Sequence, residues 1–215
     1  SGGKVAPAMA ALTRVTERSG EGRGADPVDP ASYRPPAAPV AVVVYFGVIT
    51  VLFGLISSAY VMRMGMTGMG HGAMGDWRPM PEPPLLWINS FVLLLSSLAW
   101  EAARAGIRQG RTDLMRRSML GAGLLGILFL AGQLLLWREF VQAGYYASSN
   151  PANAFFYLIT AFHGLHIAGG LFFWARAGLR LRAGADIRLP VELCAAYWHF
   201  LLLVWALMLA LLIST

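Results

Sequence analysis

The sequence predicts an all-α integral membrane bundle of five transmembrane helices, with the N-terminus inside and the C-terminus outside. Three observations carry this. The 215 residues are 57% hydrophobic and only 13% charged, against about 25% charge in a soluble domain. The mean hydropathy is +0.57. Five apolar runs each approach the ~20 residues that a bilayer-spanning helix needs.

The runs are about 39–62, 84–103, 118–140, 152–175 and 190–213. Proline opens the first, second and fifth, where a missing backbone donor costs nothing. Residues 1–38 are polar and rich in Gly, Ala, Pro and Arg. They lack the apolar core of a signal peptide and read as a mostly disordered cytoplasmic tail, with one short amphipathic helix expected around Ala8–Glu17. The chain therefore divides into this tail and a membrane domain over 39–215. No internal repeat is visible.

Orientation follows from arginine. Lys4, Arg14, Arg18, Arg23 and Arg34 lie in the tail. Arg104, Arg108, Arg111, Arg116 and Arg117 lie in the second connection, and Arg176, Arg180, Arg182 and Arg188 in the fourth. The other side has only Arg63, Arg78 and Arg138. The positive-inside rule places the richer side in the cytoplasm. The net charge of +6 could suggest a nucleic-acid partner. Topology accounts for it better, because the arginines cluster between apolar runs, and no nucleic acid is expected. The single cysteine, Cys194, lies in an apolar run and reads as a small buried hydrophobe.

Polar residues inside the membrane are functional candidates by default. With a rise of ~1.5 Å per residue, His166 and His199 both fall roughly 13–14 Å from the inner ends of their helices. His163 shares a face with His166 at i, i+3. His166 and His199 could sandwich a haem. His163 and His166 could not, because both project from one side of one helix. The competing expectation is a helix–helix hydrogen-bond network with Thr160, Tyr197 or backbone carbonyls. Glu139 falls near the outer end of the third helix beside Arg138. Glu101 and Glu192 fall near inner ends, and Glu101 is spaced to pair with Arg104. These carboxylates do not form a chain across the bilayer, so interfacial ion pairs are expected rather than a proton wire. Gly121, Gly123 and Gly126 on the third helix, and Gly164, Gly169 and Gly170 on the fourth, suggest close packing of backbones. No phosphate loop, nucleophile–base pair or thiolate cluster is present.

Residues 61–81 read VMRMGMTGMGHGAMGDWRPMP and are expected to form a loop on the outer side. Thioether sulfur is a soft ligand that favours Cu(I). Met62, Met64, Met66, Met69, His71, Met74 and Met80 are thus a candidate Cu(I) site, against the plainer reading of a flexible apolar lip that packs on a neighbouring chain.

Several motifs carry a resemblance. FFYLITAFHGLHIAGG (155–170) and VELCAAYWHFLLLVWALMLALL (191–212) resemble helix signatures of haem-copper oxidase (cytochrome c oxidase) subunit III. PPLLWINSFVLLLSS (83–97) and LLLWREF (134–140) resemble further elements of that family, with Ser90 where threonine is usual. The resemblance spans 39–213 and is to the short five-helix bacterial form.

It implies a non-catalytic subunit of a respiratory terminal oxidase, coupled to proton pumping, in a bacterial inner membrane. It implies a hetero-oligomer with oxidase subunits I and II, packing on subunit I, with lipids held in a cleft. No cofactor is expected in this chain; haem and copper belong to the partner subunits. Asn89, Glu139, His163, His166, Glu192, Trp198 and His199 are the structural polar or lipid-cleft candidates. One departure is that the long form's glutamate in the first of these helices has no counterpart around Ile49, Thr50 and Val51. Other expectations are a quinol-oxidase or nitric-oxide-reductase accessory subunit of the same family, a stand-alone haem-b electron carrier, or a small transporter. The transporter is disfavoured by continuous helices without repeats.

Overall fold

A computed structural model describes residues 37–68 and 83–214. Within them the chain forms five helices: α1 (Ala37–Gly68), α2 (Pro84–Arg108), α3 (Thr112–Gln142), α4 (Pro151–Arg182) and α5 (Arg188–Ile213). All five are long and apolar enough to span a membrane, and no strand occurs among the described residues. A buried backbone in lipid must satisfy its own hydrogen bonds, and a helix does so within one segment.

The helices outrun the apolar runs, chiefly at the arginine-rich end. Arg104 and Arg108 stay in α2, Arg116 and Arg117 in α3, and Arg176, Arg180 and Arg182 in α4. Arginine is a good helix former, and its stem can run along apolar surface while its head reaches water. The other departure is at α1. Met62, Met64 and Met66 lie on the helix, not in a loop.

The terminations have local causes. Helices α2, α3 and α4 each end before a glycine with positive φ: Gly110 (68°), Gly144 (84°) and Gly184 (71°). In each case the next residue's N–H reaches back to an orphan carbonyl: Arg111 to Gly106 (2.8 Å), Tyr145 to Phe140 (2.9 Å) and Ala185 to Arg180 (3.1 Å). This is the Schellman ending, which needs a residue tolerant of the left-handed region. At the start of α4 the Asn150 side chain accepts from the Ala152 N–H at 3.0 Å. Pro151 then occupies the first helical position, where no donor is needed.

Helices α2 to α5 form an antiparallel four-helix ring, α2 against α3, α3 against α4, α4 against α5, and α5 back against α2. Trp100, Phe129, Leu136, Ile159, Ile167, Trp198 and Leu201 fill its interior. Helix α1 lies outside the ring. Its most apolar stretch is only 11% buried, against 33–44% for the other four. It touches α4 and α5 through large side chains instead of close backbones: Phe46 on Phe200 (centroids 4.3 Å), Tyr60 on Phe155 (5.5 Å) and Phe53 on His166 (5.6 Å). The sequence signal for this loose seat is the bulk of the α1 residues facing the ring.

Candidate functional site

Three arrangements hold many of the polar residues of the membrane domain. The first is a set of indole ties between helices. The Trp198 N–H on α5 donates to Ser96 Oγ on α2 at 2.7 Å, and Ser96 donates onward to the Ala122 carbonyl on α3 at 2.7 Å. Trp205 donates to Ser90 (2.9 Å), Trp174 to the Met119 carbonyl (2.8 Å) and Trp137 to Thr160 (3.0 Å). The Asn89 amide donates to the Phe129 carbonyl at 3.1 Å and to Gln133 Oε1 at 3.4 Å. Each tie joins two helices where lipid offers no competing partner.

Glycine makes room for these bulky donors. A Cβ at Gly123 would collide with the Trp174 indole, and one at Gly132 with the Asn89 amide. A Cβ at Gly170 would lie 2.8 Å from both Trp198 Cζ3 and Tyr197 Cε1. Of the six glycines expected at close seams, Gly123, Gly126 and Gly170 are so placed. Gly164 and Gly169 have only ordinary neighbours at 3.6 and 3.9 Å, and Gly121 faces open space.

The second arrangement is an ion cluster between α2 and α5. Arg104 donates to Glu101 at 2.6 Å and to Glu192 at 2.8 Å. Arg108 lies 3.5 Å from Glu192, and His199 Nε2 lies 3.2 Å from Glu101 Oε1. The Glu101–Arg104 pair was legible at i, i+3. Glu192 and His199 joined it only through the packing of α5 on α2.

The third is a groove of about 630 Å³ among α1, α4 and α5. Val42 and Tyr45 line it from α1, Arg176 and Arg180 from α4, and Cys194 and Tyr197 from α5. It is apolar along its length, with the two guanidiniums at the arginine-rich end of the bundle. None of the seven polar candidates lines it.

His166 and His199 do not converge. His166 faces α1, with Tyr45 and Phe53 at centroid distances of 6.0 and 5.6 Å. His199 faces Glu101 on α2. Their Nδ1 atoms lie 2.6 Å from the Phe162 and Ala195 carbonyls of their own helices. This arrangement corrects the haem sandwich: the two imidazoles are committed to different neighbours. Tyr197 donates to the His166 backbone carbonyl at 2.8 Å, a contact between α4 and α5 that leaves the imidazole out.

His163 is fully buried among Phe53, Phe129 and Trp205, and neither ring nitrogen has a hydrogen-bond partner. Glu139 is exposed near the end of α3. Among the described residues no three His, Cys, Asp or Glu side chains converge on a point. Met62 is exposed on α1, and Met64, two residues on, projects some 200° around the helix. Met69, His71, Met74 and Met80, and the side chain of Met66, lie outside the described residues.

The family model for cytochrome c oxidase subunit III matches residues 41–214. The chain belongs to the cytochrome c oxidase subunit III family. The match covers all five helices and the ties between them. Among curated relatives, a probable cytochrome c oxidase subunit 3 of Mycobacterium bovis is 28% identical over 180 residues, 80% of this chain and 85% of that one. The cytochrome c oxidase subunit 3 of Synechocystis is 31% identical over 169 residues, 74% of this chain and 70% of its own. That of Thermostichus vulcanus is 27% identical over 192 residues, 86% and 90%. The chain is thus a multi-pass membrane protein and subunit III of a haem-copper oxidase, a member of a hetero-oligomeric complex.

Proposed function

We propose that this chain is a non-catalytic packing subunit, seated on subunit I of a respiratory terminal oxidase of the cytochrome c type. In this reading it prolongs the working life of the catalytic subunit and holds lipid at its flank. The observation that carries the reading is the use made of the intramembrane polar groups. The indoles, serines and Asn89 join helix to helix, and Arg104 pairs with Glu101 and Glu192. Such a bundle presents an apolar exterior and is tied within itself, which suits it to bracing a neighbour.

The lipid part rests on the groove among α1, α4 and α5. An acyl chain suits its apolar walls, and Arg176 and Arg180 stand where a phosphate headgroup would lie. The arginine-rich end is assigned to the cytoplasm, which puts the N-terminus inside and the membrane domain over 39–215 in a bacterial inner membrane. The haem and copper of the complex are assigned to partner subunits.

The test is deletion of this chain from the expressed oxidase, followed by oxygen consumption over many turnovers. The reading expects normal initial turnover, then early inactivation and weakened proton pumping. Turnover as long-lived as that of the complete complex would refute the bracing role.

A further inference from the structure

Helix α1 is attached to the ring differently from the way the ring helices are attached to one another. Among the described residues no Cα of α1 comes within 8 Å of one on another helix. A Cβ added at Gly47 or Gly54 would meet nothing within 4 Å, so neither glycine of this stretch serves a close seam. The contacts are made by ring faces, Phe46 on Phe200 at 4.3 Å and Tyr45 on Tyr197 at 6.0 Å. Ser57 Oγ adds a long bond to Met208 Sδ at 3.8 Å. Lipid tails are as apolar as these side chains, so no hydrophobic force presses α1 onto the ring. Ring helices, by contrast, interlock through glycine against indole, as Gly123 does with Trp174.

The groove lies at this loose seat. The first turns of α1, with Ala38, Ala41 and Val42, form one wall, and α4 and α5 form the others. Its volume of about 630 Å³ falls within the range of about 300–1,000 Å³ typical of small-ligand sites. Whatever fills it touches α1 on one side and the ring on the other.

The groove also carries an unbalanced charge. Arg176 and Arg180 stand four residues apart on α4, both exposed. Like charges at that spacing repel. Arg104 is bound to two carboxylates at 2.6 and 2.8 Å. Among the described residues neither Arg176 nor Arg180 has an ion-pair partner. An anionic head group supplies what the pair lacks, and its chain supplies what the apolar walls lack.

We propose that α1 is a movable wall of this groove. A phospholipid of net negative charge, its head on Arg176 and Arg180, seats α1 against α4 and α5, and α1 swings away when that lipid leaves. The coupling follows from the geometry: the lipid spans a gap that the α1 backbone does not close itself. This rests on the reading of the groove as a lipid site.

The test measures two distances in the complete complex, between spin labels carried on noncanonical amino acids. Val44 of α1 with Leu179 of α4 reports the wall, and Leu120 of α3 with Leu179 reports the ring; all three positions are exposed. The complex is washed in detergent and placed in nanodiscs of phosphatidylcholine alone or of phosphatidylcholine with phosphatidylglycerol. With phosphatidylglycerol a single short 44–179 distance is expected. Without it a longer population should appear, the ratio of seated to released α1 falling about fivefold or more, while the 120–179 distance stays fixed. Arg176→Gln with Arg180→Gln should behave in phosphatidylglycerol as the unaltered chain does without it. The same 44–179 distribution in both lipids, or an equal broadening of 120–179, overturns the proposal. Mass spectrometry of the phosphatidylglycerol retained after washing separates the two readings. More lipid on the unaltered complex than on the double variant, with α1 unmoved, overturns the movable wall and leaves the lipid site standing. Equal retention overturns the lipid site first, and the proposal with it.

Discussion

The seam between α3 and α4 offers a sharp test of the packing, through Gly123→Ala. The added methyl falls inside the Trp174 indole, whose N–H is held to the Met119 carbonyl at 2.8 Å. To admit it the ring must move. Overpacking of this kind costs about 1–3 kcal/mol, and the displaced hydrogen bond is worth about 0.6 kcal/mol in a membrane protein. Helix propensity returns up to about 1 kcal/mol. The net is a loss of roughly 1–3 kcal/mol, or a fall of roughly 2–12 °C in Tm for a chain of this size. The assay is thermal unfolding of the purified complex in mild detergent, read by tryptophan fluorescence and by solubility of this chain. Gly121→Ala is the matched comparison. It lies two residues away on the same helix with nothing within 4 Å of the new carbon. It should shift Tm between zero and a gain of about 3 °C. Equal midpoints for the two variants would refute the claim that the indole–glycine contact, and not glycine content as such, sets this seam.

Three further expectations follow. Ser96→Ala should destabilise by about 1–3 kcal/mol, because it strands the buried Trp198 N–H and removes the donor to Ala122; an unchanged midpoint in the same thermal assay would show that the tie contributes nothing. His163→Phe should be neutral or stabilising, since the ring nitrogens have no partners among Phe53, Phe129 and Trp205, whereas His163→Ala should cost about 3 kcal/mol through its cavity; loss of turnover in a stable His163→Phe complex would mean the imidazole has a chemical role. In a Cys194→Ala background, a cysteine at Ser149 should react with a membrane-impermeant maleimide in intact cells and one at Gln109 should not; the reverse would invert the topology.

The five helices were legible because membrane insertion is written in local composition. Any residue of the run Leu93–Leu95 or Leu201–Val204 testifies to it alone. The helix ends were less so, since arginines such as Arg180 and Arg182 read as connection yet continue the helix. Pairs within one helix were also legible: Glu101 and Arg104 met as their spacing required. What could not be read was rotation. Whether His199 turns toward His166 or Glu101 depends on how α5 sits against α2 and α4, and that is decided by distant bulk, including Trp198 over Gly170 and Phe46 against Phe200. The same ignorance hid Ser90 and Ser96. Each looks like an unremarkable small polar residue, and only the facing indole makes it an anchor. Glycine shows the limit clearly: Gly121 and Gly123 are indistinguishable by pattern, and only the neighbour across the seam separates them.

The most direct measurement is affinity purification of this chain from its native membrane in mild detergent, with mass spectrometry of the companions and a reduced-minus-oxidised spectrum of the same sample. The account predicts that the haem-copper subunits I and II come with it in stoichiometric amounts and that the haem signal leaves when they are stripped away. A chain that purifies alone, or that keeps a haem spectrum after the other subunits have gone, would contradict it.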